Sequence, residues 1–523
     1  MPRVPKHQKR PLRLAQGQIA NELLRIAPDR DERASQLCAE TLLTLMQNGY
    51  QAPADENHLK SPKRQRFAIR SLALKENFLG GRDKGRVGDD DTTPEQYGAS
   101  LAAGDPIRGS ANLLLAQQTL QGLVDPETQR GQVGSWLLKP FHESLLWYDA
   151  RRPSPSSSEY TVRKVYMRGS GITLARLLMD PVDPEDATLG SAAVLAIKNA
   201  LTSESPLAQI GSVLEDALPR DQLWTDKELK TEADEMEAWT RGGDAQLATL
   251  SRHLCRHAEG VMRQGRASAP ARLWQLRGIL SLDLAMHALR CAWDETDTPE
   301  ADRYLLLSFG GLPRANDPVR QRSEDTYRRS RIRLSEATLR TLARRMRDLK
   351  EVEKVVGFAG EFSDSTLSGS GVDSVSSQLD DLAYDAKPAE YLRLARSAVE
   401  TANYSRGSED GYRVLLESIG MLVGTGAYRY LTAGPDLLAA LVGALSSEMP
   451  MSSREFISAI RDEWGFVINQ ESAAETNLAA QLDGAALARN ARYAEQLMSE
   501  AGLAVGLSDR TTMVGERAAR DEL

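Results

Sequence analysis

The chain has 523 residues, a formal net charge of −8, 41% hydrophobic residues and only 6% aromatic residues. This length is too great for one hydrophobic core and predicts roughly three domains. Three cysteines exclude a disulfide scaffold and favour a reducing compartment, and no apolar run approaches the ~20 residues of a membrane span. The basic N-terminus precedes no apolar segment, so the sequence predicts no signal peptide, no membrane partner and a cytoplasmic location.

Breaks in composition divide the chain into four predicted segments. An N-terminal helical domain with a basic arm, residues 1–152, ends in a proline- and serine-rich stretch. A central helical domain, residues 153–362, ends in an arginine-rich helix, and an acidic, serine-rich linker follows at 363–387. Residues 388–523 form the predicted C-terminal helical domain. Apolar residues recur mostly at steps of three and four, which predicts a mainly α fold with few strands.

The first clear helix is predicted from Asp31 to Gln47 and is followed by Asn48-Gly49, a pair typical of helix ends. Its apolar face contains Leu37, Leu42, Leu45 and Met46.

A basic block follows from Lys60 to Arg86, with nine Lys or Arg residues against two acids. Lys63, Arg64 and Arg66 precede Phe67, and basic residues beside an aromatic ring suit single-stranded nucleic acid. An exposed loop, or a helix from Phe67 to Phe78 with a solvated face, is the alternative that the pattern favours.

The central domain begins with alternating β-formers at Tyr160–Met167, which predict one short strand. Gly169-Ser170-Gly171 before the next helix has the composition of an anion-binding nest, although a simple connection between helices is favoured. Helices are predicted from Glu185 to Trp293. Within them, Asp221 to Glu237 carries seven acids and two lysines, so this stretch is a candidate intramolecular partner for basic residues elsewhere.

Two pairs of residues have metal-like spacing. His253 and His257 are four residues apart on one predicted helix, and His287 and Cys291 are four apart on another. Antiparallel packing of these helices would allow a tetrahedral zinc site. Both pairs share their faces with leucines, however, so buried side chains at a helix contact are the favoured interpretation, and no metal or cofactor is predicted.

The most basic stretch runs from Arg314 to Lys350, with eleven arginines and one lysine against five acids. No proline or glycine occurs between Pro318 and Gly357, so one long helix is predicted, with Leu339, Leu342 and Met346 on its apolar stripe. The candidate nucleic-acid-binding residues on this helix are Arg320, Arg322, Arg328, Arg329, Arg331 and Arg333.

Two other interpretations of these arginines are open. One is a solvated amphipathic helix with internal pairs such as Glu324–Arg328 and Glu336–Arg340. The other is an acidic face on a partner protein.

The C-terminal module begins after Gly434-Pro435. Helices are predicted at Asp436–Ser446, from Ser452 to about Trp464 and at Arg489–Ala501, and Glu455 completes a capping box with Ser452. Tyr493, Leu497 and Met498 are expected to face inward, and alternation on both sides of a turn predicts a β-hairpin at 503–514.

Helices followed by a hairpin resemble the winged-helix layout over roughly the last 90 residues. That resemblance implies that Arg489 and Arg492, on the last helix, are candidate DNA contacts, although many such modules bind proteins.

The functional expectation is a non-catalytic, nucleic-acid-associated subunit of a bacterial multiprotein assembly. The alternative is a helical scaffold that binds other proteins without touching nucleic acid. The chain lacks phosphate-loop, zincin, nucleophile-elbow and paired CxxC motifs, and no catalytic residue is singled out. A mobile-element or phage-defence system is one setting for such a protein, and no residue specifies it.

Overall fold

A computed structural model describes the chain in sections, which are residues 23–26, 32–51, 67–69, 141–143, 146, 148–151, 161–162, 170–203, 245–265, 267–310, 314–356, 381–383, 385–401, 408–446, 449–508 and 511–515. The described part is mostly helical with a few short strands, which confirms the predicted mainly α fold. No described helix is long and apolar enough to cross a lipid bilayer.

The helices of the described residues are numbered in chain order. They are α1 (Ala34–Gln47), α2 (Ser170–Met179), α3 (Ala187–Leu201), α4 (Ala245–Arg263), α5 (Ala269–Glu295), α6 (Pro318–Val356), α7 (Pro388–Thr401), α8 (Ser408–Ser418), α9 (Pro435–Leu445), α10 (Ser453–Trp464), α11 (Gln470–Ala473) and α12 (Gly484–Glu500).

The strands of the described residues are short. They are β1 (Phe67–Ile69), β2 (Tyr148–Arg151), β3 (Thr161–Val162), β4 (Leu305–Leu306), β5 (Leu422–Val423), β6 (Tyr430–Leu431), β7 (Met451–Ser452), β8 (Phe466–Val467), β9 (Ala504–Ser508) and β10 (Thr511–Val514). They form two three-stranded sheets, ordered β1-β2-β3 and β7-β10-β9, and two two-stranded pairs, β4-β8 and β5-β6.

The chain folds into two compact units, and each is built from separated stretches of sequence. The first contains Met1–Asp31, Leu284–Ala433 and Ile457–Ala494; the second contains Glu32–Asp283, Gly434–Phe456 and Glu495–Leu523. The domain boundaries inferred from composition stay predictions, and the predicted linker at 363–387 lies largely outside the described residues.

The second unit is a helical core in which α4 packs against α2, α3 and α9. Small residues allow these close contacts. A Cβ added at Gly260 of α4 would lie 2.7 Å from the carbonyl oxygen of Ala444 in α9, a distance that real Cβ atoms do not adopt. A Cβ at Gly190 of α3 would lie 2.6 Å from the carbonyl oxygen of Leu178. Glycine is therefore needed where these helix backbones meet.

In the first unit, α6 packs against α7, α8, β4 and β6. The helix begins at Pro318, where the fixed φ of proline suits the first helical position. The Asp317 carboxylate before it accepts a hydrogen bond from the Arg320 amide at 3.0 Å. Val319 of this helix belongs to an apolar cluster of buried residues. The other members of the cluster are Tyr304, Leu306, Val467, Ala473, Leu478, Leu482, Ala486 and Leu487.

Several local predictions are confirmed. Helix α1 ends where Asn48-Gly49 predicted, and Gly49 has a φ of +68°. The predicted hairpin is present as β9 and β10. The capping box at the start of α10 is present as well: the Ser452 amide donates to the Glu455 carboxylate at 2.8 Å, and the Glu455 amide donates to the Ser452 hydroxyl at 3.2 Å.

Two local predictions are wrong. Phe67–Ile69 forms a strand that pairs in parallel with β2, so the proposed helix from Phe67 does not begin there. Tyr493 was expected to face inward but is 37% exposed, while Ala494 and Asn490 are buried beside it. The polar Asn490 occupies the inward position because the main chain around it needs hydrogen-bond partners.

Candidate nucleic-acid interface

Helix α6 has the amphipathic character that its sequence predicts. Leu342 and Met346 are buried, Leu339 is half-buried, and Arg328 and Arg329 are exposed. Helical spacing separates the two faces, since the arginines fall largely between the apolar positions.

In the first part of α6, arginines pair with acids on the same helix. Arg322 and Arg328 share one carboxylate, that of Asp325, at 3.2 and 2.6 Å. Arg320 lies 3.7 Å from Glu324, and its guanidinium is 4.4 Å from the ring centroid of Tyr430. The predicted pair Glu324–Arg328 is therefore replaced by Asp325–Arg328, three residues apart instead of four.

Further along α6, one acid again serves two arginines. The two carboxylate oxygens of Glu336 lie 3.0 Å from Arg333 and 3.0 Å from Arg340, which confirms the predicted Glu336–Arg340 pair. Arg340 also reaches Asp297 at 3.2 Å, and Arg344 lies 2.9 Å from Glu295. Acids from the end of α5 and the turn after it thus neutralise part of the positive charge.

Arg331 belongs to a different, partly buried cluster with helix α8. It lies 4.0 Å from Asp410, whose carboxylate also accepts from Arg413 at 3.3 Å. Glu417 bridges two arginines in turn, Arg413 at 2.8 Å and Arg429 at 3.0 Å. Asp410 thus links α8 to α6, and Glu417 links α8 to the segment before β6.

Two tyrosine rings lie beside this cluster. The rings of Tyr327 and Tyr412 stack with centroids 6.3 Å apart, and Ser330 donates to the Tyr412 hydroxyl at 3.3 Å. Burial raises the pKa of Tyr327 to about 12 although Arg331 acts in the opposite direction. Both phenols therefore stay neutral across the physiological range.

The other predicted basic block is not described. Lys63, Arg64 and Arg66 lie outside the described residues, as does the acidic stretch from Asp221 to Glu237. The nucleic-acid contacts predicted for Lys63, Arg64 and Arg66 stay predictions.

Helix α12 carries the remaining two candidates, Arg489 and Arg492. Both are exposed, and neither forms an ion pair with an acid in the described part of the chain. The acidic Glu495 on the same helix is held by the Ser453 hydroxyl, which donates to its carboxylate at 2.6 Å. The two guanidinium groups thus lie exposed on α12, a helix that also carries the carboxylates of Glu495 and Glu500.

Arg489 is oriented by its neighbour Asn490. The Asn490 side-chain amide donates to the carbonyl oxygens of Leu307 and Ile468, and its oxygen accepts from the Phe309 amide. Asn490 is fixed on the buried side of α12, and Arg489, about 100° around the helix axis from it, is exposed to solvent. The sequence pattern did not single out Asn490.

The residues with metal-like spacing have other partners. The Nδ1 of His257 lies 3.0 Å from both carboxylate oxygens of Asp283, and both side chains are fully buried. The Nε2 of His287 donates to the carbonyl oxygen of Leu24 at 2.6 Å. Within the described residues, no group of three or more His, Cys, Asp or Glu side chains is arranged to hold a metal ion.

The N-terminal end of α2 meets a negative charge from its own chain. The Gly171 amide donates to the Glu40 carboxylate of α1 at 2.9 Å. A Cβ at Gly171 would lie 2.7 Å from the Glu40 Cβ, so the first turn of α2 is packed closely against α1. This favours a structural interpretation of Ser170 and Gly171 over an anion site, while Gly169 lies outside the described residues.

Comparison of the chain with known protein families, with curated proteins and with solved structures found no match.

Proposed function

We propose that this chain is a non-catalytic, nucleic-acid-associated subunit of a bacterial multiprotein assembly, and that its C-terminal module makes the nucleic-acid contact. The observation that carries the proposal is the pair Arg489 and Arg492. Their guanidinium groups are exposed on one helix without acidic partners in the described residues, whereas most α6 candidates are already paired.

The order of elements supports the same proposal. Along the chain, α9 is followed by β7, α10, β8, α11, α12 and the hairpin β9–β10, and β7 pairs antiparallel with β10. A winged helix has a recognition helix followed by a hairpin, and this module has the elements in that order. Helix α12 then corresponds to the recognition helix. Arginine suits both phosphate oxygens and the O6 and N7 atoms of guanine.

The test compares two double variants with equal loss of charge. One is Arg489→Ser with Arg492→Ser in α12; the other is Arg328→Ser with Arg329→Ser in α6. Binding of the full chain to a 30-base-pair duplex of mixed sequence is measured across a salt series. We expect the α12 variant to bind about 10- to 100-fold more weakly and to reduce the salt slope by roughly two. The α6 variant should stay within about twofold of the wild type.

Three outcomes contradict the proposal in different ways. If the α6 variant alone loses affinity, the contact lies on α6, as the sequence first suggested. An equal loss in both variants indicates that net charge, and not a site on α12, determines binding. No binding of duplex DNA, single-stranded DNA or RNA at low salt would exclude the nucleic-acid function.

The second candidate function is a helical scaffold without nucleic-acid contact. Internal pairing favours it: Asp325, Glu336 and Glu295 already form ion pairs with five arginines of α6. In that case the double variant in α12 does not change the binding of the chain to any nucleic acid.

A further inference from the structure

The exposed side of α6 combines an apolar side chain with positive charge. Ile332 is 56% exposed, although branched aliphatic residues are usually buried. Arg328 and Arg329 precede it by four and three residues, so all three side chains lie on one face of the helix. We call Arg328, Arg329 and Ile332 the Ile332 face.

Internal pairing leaves this face positively charged. The single carboxylate of Asp325 is shared between Arg322 and Arg328, so it neutralises only one of the two. Arg329 forms no ion pair within the described residues; its neighbour is the Tyr304 hydroxyl. Burial raises the pKa of Tyr304 while Arg329 acts in the opposite direction, so the phenol stays neutral and does not compensate the guanidinium.

Two nearby acids are also shared between arginines. Asp410 serves both Arg331 and Arg413, and Glu336 serves both Arg333 and Arg340. Asp325, Asp410 and Glu336 thus each face two guanidinium groups. A ligand that supplies carboxylates would complete the charge balance without displacing any existing pair.

We propose that the Ile332 face binds an acidic segment of a partner protein that carries an apolar anchor residue. Charge complementarity requires an anionic partner. The isoleucine favours a protein segment over a nucleic-acid backbone, because a backbone of charged phosphates and sugars offers Ile332 less apolar surface than an aliphatic side chain does. Carboxylates then form charge-assisted hydrogen bonds with Arg328 and Arg329 around a contact from which water is excluded. This surface is separate from the contact proposed on α12 and is tested independently of it.

The test uses three fluorescent probes and the full chain. The first is a 12-residue helical peptide rich in glutamate with one central leucine, the second replaces that leucine with serine, and the third is a 12-nucleotide single-stranded DNA. Fluorescence anisotropy measures the affinity of each probe for the wild type and for Ile332→Ser. We expect the leucine peptide to bind the wild type about tenfold more tightly than the serine peptide. Ile332→Ser should remove this preference and leave DNA binding unchanged.

A charge-reversal variant gives the second readout. Arg328→Glu with Arg329→Glu should abolish binding of both acidic peptides and create binding of a matched lysine-rich peptide with a central leucine. Both positions are exposed, so a circular dichroism melt close to that of the wild type serves as the folding control.

Equal binding of the leucine and serine peptides, or an unchanged preference in Ile332→Ser, overturns the proposal. Weaker DNA binding in Ile332→Ser would instead assign the face to nucleic acid.

Discussion

The side-chain amide of Asn490 donates a hydrogen bond to the carbonyl oxygen of Leu307 at 2.8 Å. The same amide donates to the carbonyl oxygen of Ile468 at 2.9 Å, and its oxygen accepts from the Phe309 amide at 2.8 Å. Asn490 is only 2% exposed. One side chain therefore satisfies main-chain groups just beyond β4 and β8 and fixes the rotation of α12 within the first unit.

Replacing Asn490 should be costly. Asn490→Ala leaves three main-chain groups without their partner, two of them buried, and we expect the free energy of unfolding to fall by about 2–4 kcal/mol. Urea denaturation followed by circular dichroism measures the change. Asn477→Ala is the matched control: Asn477 is exposed and its hydrogen bond to Asp302 is exposed to solvent, so its loss should cost under about 1 kcal/mol. Similar values for the two variants would contradict the structural role of Asn490.

Local signals explain which predictions from the sequence succeeded. The end of α1 at Asn48-Gly49, the capping box of Ser452 and Glu455, and the hairpin of β9 and β10 depend on residues only a few positions apart. Interactions at such short range are encoded in adjacent sequence, so the pattern alone identifies them.

Long-range partners explain what the sequence did not reveal. Asn490 bonds to Leu307, 183 residues away, and Glu40 accepts from Gly171, 131 residues away. Similarly, Arg331 pairs with Asp410 on another helix. Helical periodicity predicted the apolar stripe of α6, on which Leu342 and Met346 are buried, but the acids that pair with its arginines depend partly on tertiary packing.

Packing against α9 predicts opposite effects of alanine at two glycines, Gly260 in α4 and Gly278 in α5. A Cβ at Gly260 would lie 2.7 Å from the carbonyl oxygen of Ala444 and 2.9 Å from that of Gly443, so Gly260→Ala must separate the two helix backbones. We expect a loss of about 1–3 kcal/mol in the free energy of unfolding.

Gly278→Ala in α5 is the control for this substitution. Its Cβ would lie 3.7 Å from the Ala440 Cβ, an ordinary contact, so alanine should gain up to about 1 kcal/mol from its higher helix propensity. Thermal melting of both variants measures the difference. Equal destabilisation at the two positions would show that helix packing does not distinguish them.

The capping box at α10 predicts a pH dependence. Hydrogen bonds from the amide and hydroxyl of Ser452 hold the pKa of Glu455 below its ordinary value. Because the folded pKa is lowered, the contribution of Glu455 is present above the unfolded pKa and is lost as pH falls through the folded pKa.

Glu455→Gln tests this contribution because glutamine does not titrate. We expect the wild type to be more stable than the variant at neutral pH and the difference in melting temperature to shrink as the pH falls below 4.5, the ordinary value for this carboxyl. A difference that is constant with pH would contradict the role of the carboxylate.

The stacked tyrosines predict a loss of stability at alkaline pH. Burial raises the pKa of Tyr327 from 10.0 to about 12, so the phenol stays neutral in the folded chain while the unfolded chain ionises above pH 10. Its stabilising contribution is therefore complete below pH 10 and is lost as the pH rises towards 12. Tyr327→Phe should make the fall in melting temperature over this interval shallower.

Tyr412→Phe separates the titration from the hydrogen bond. The Tyr327 hydroxyl has no hydrogen-bond partner among the described residues, so Tyr327→Phe should change stability at neutral pH by less than about 1 kcal/mol. Tyr412 accepts from Ser330 at 3.3 Å, and its replacement should cost about 1 kcal/mol at the same pH. Burial raises the pKa of Tyr412 as well, so both variants should reduce the fall in melting temperature at alkaline pH. Only Tyr412→Phe should lower the stability at pH 7. If the melting temperature of Tyr327→Phe falls as steeply with alkaline pH as that of the wild type, the Tyr327 phenol titrates freely in the folded chain.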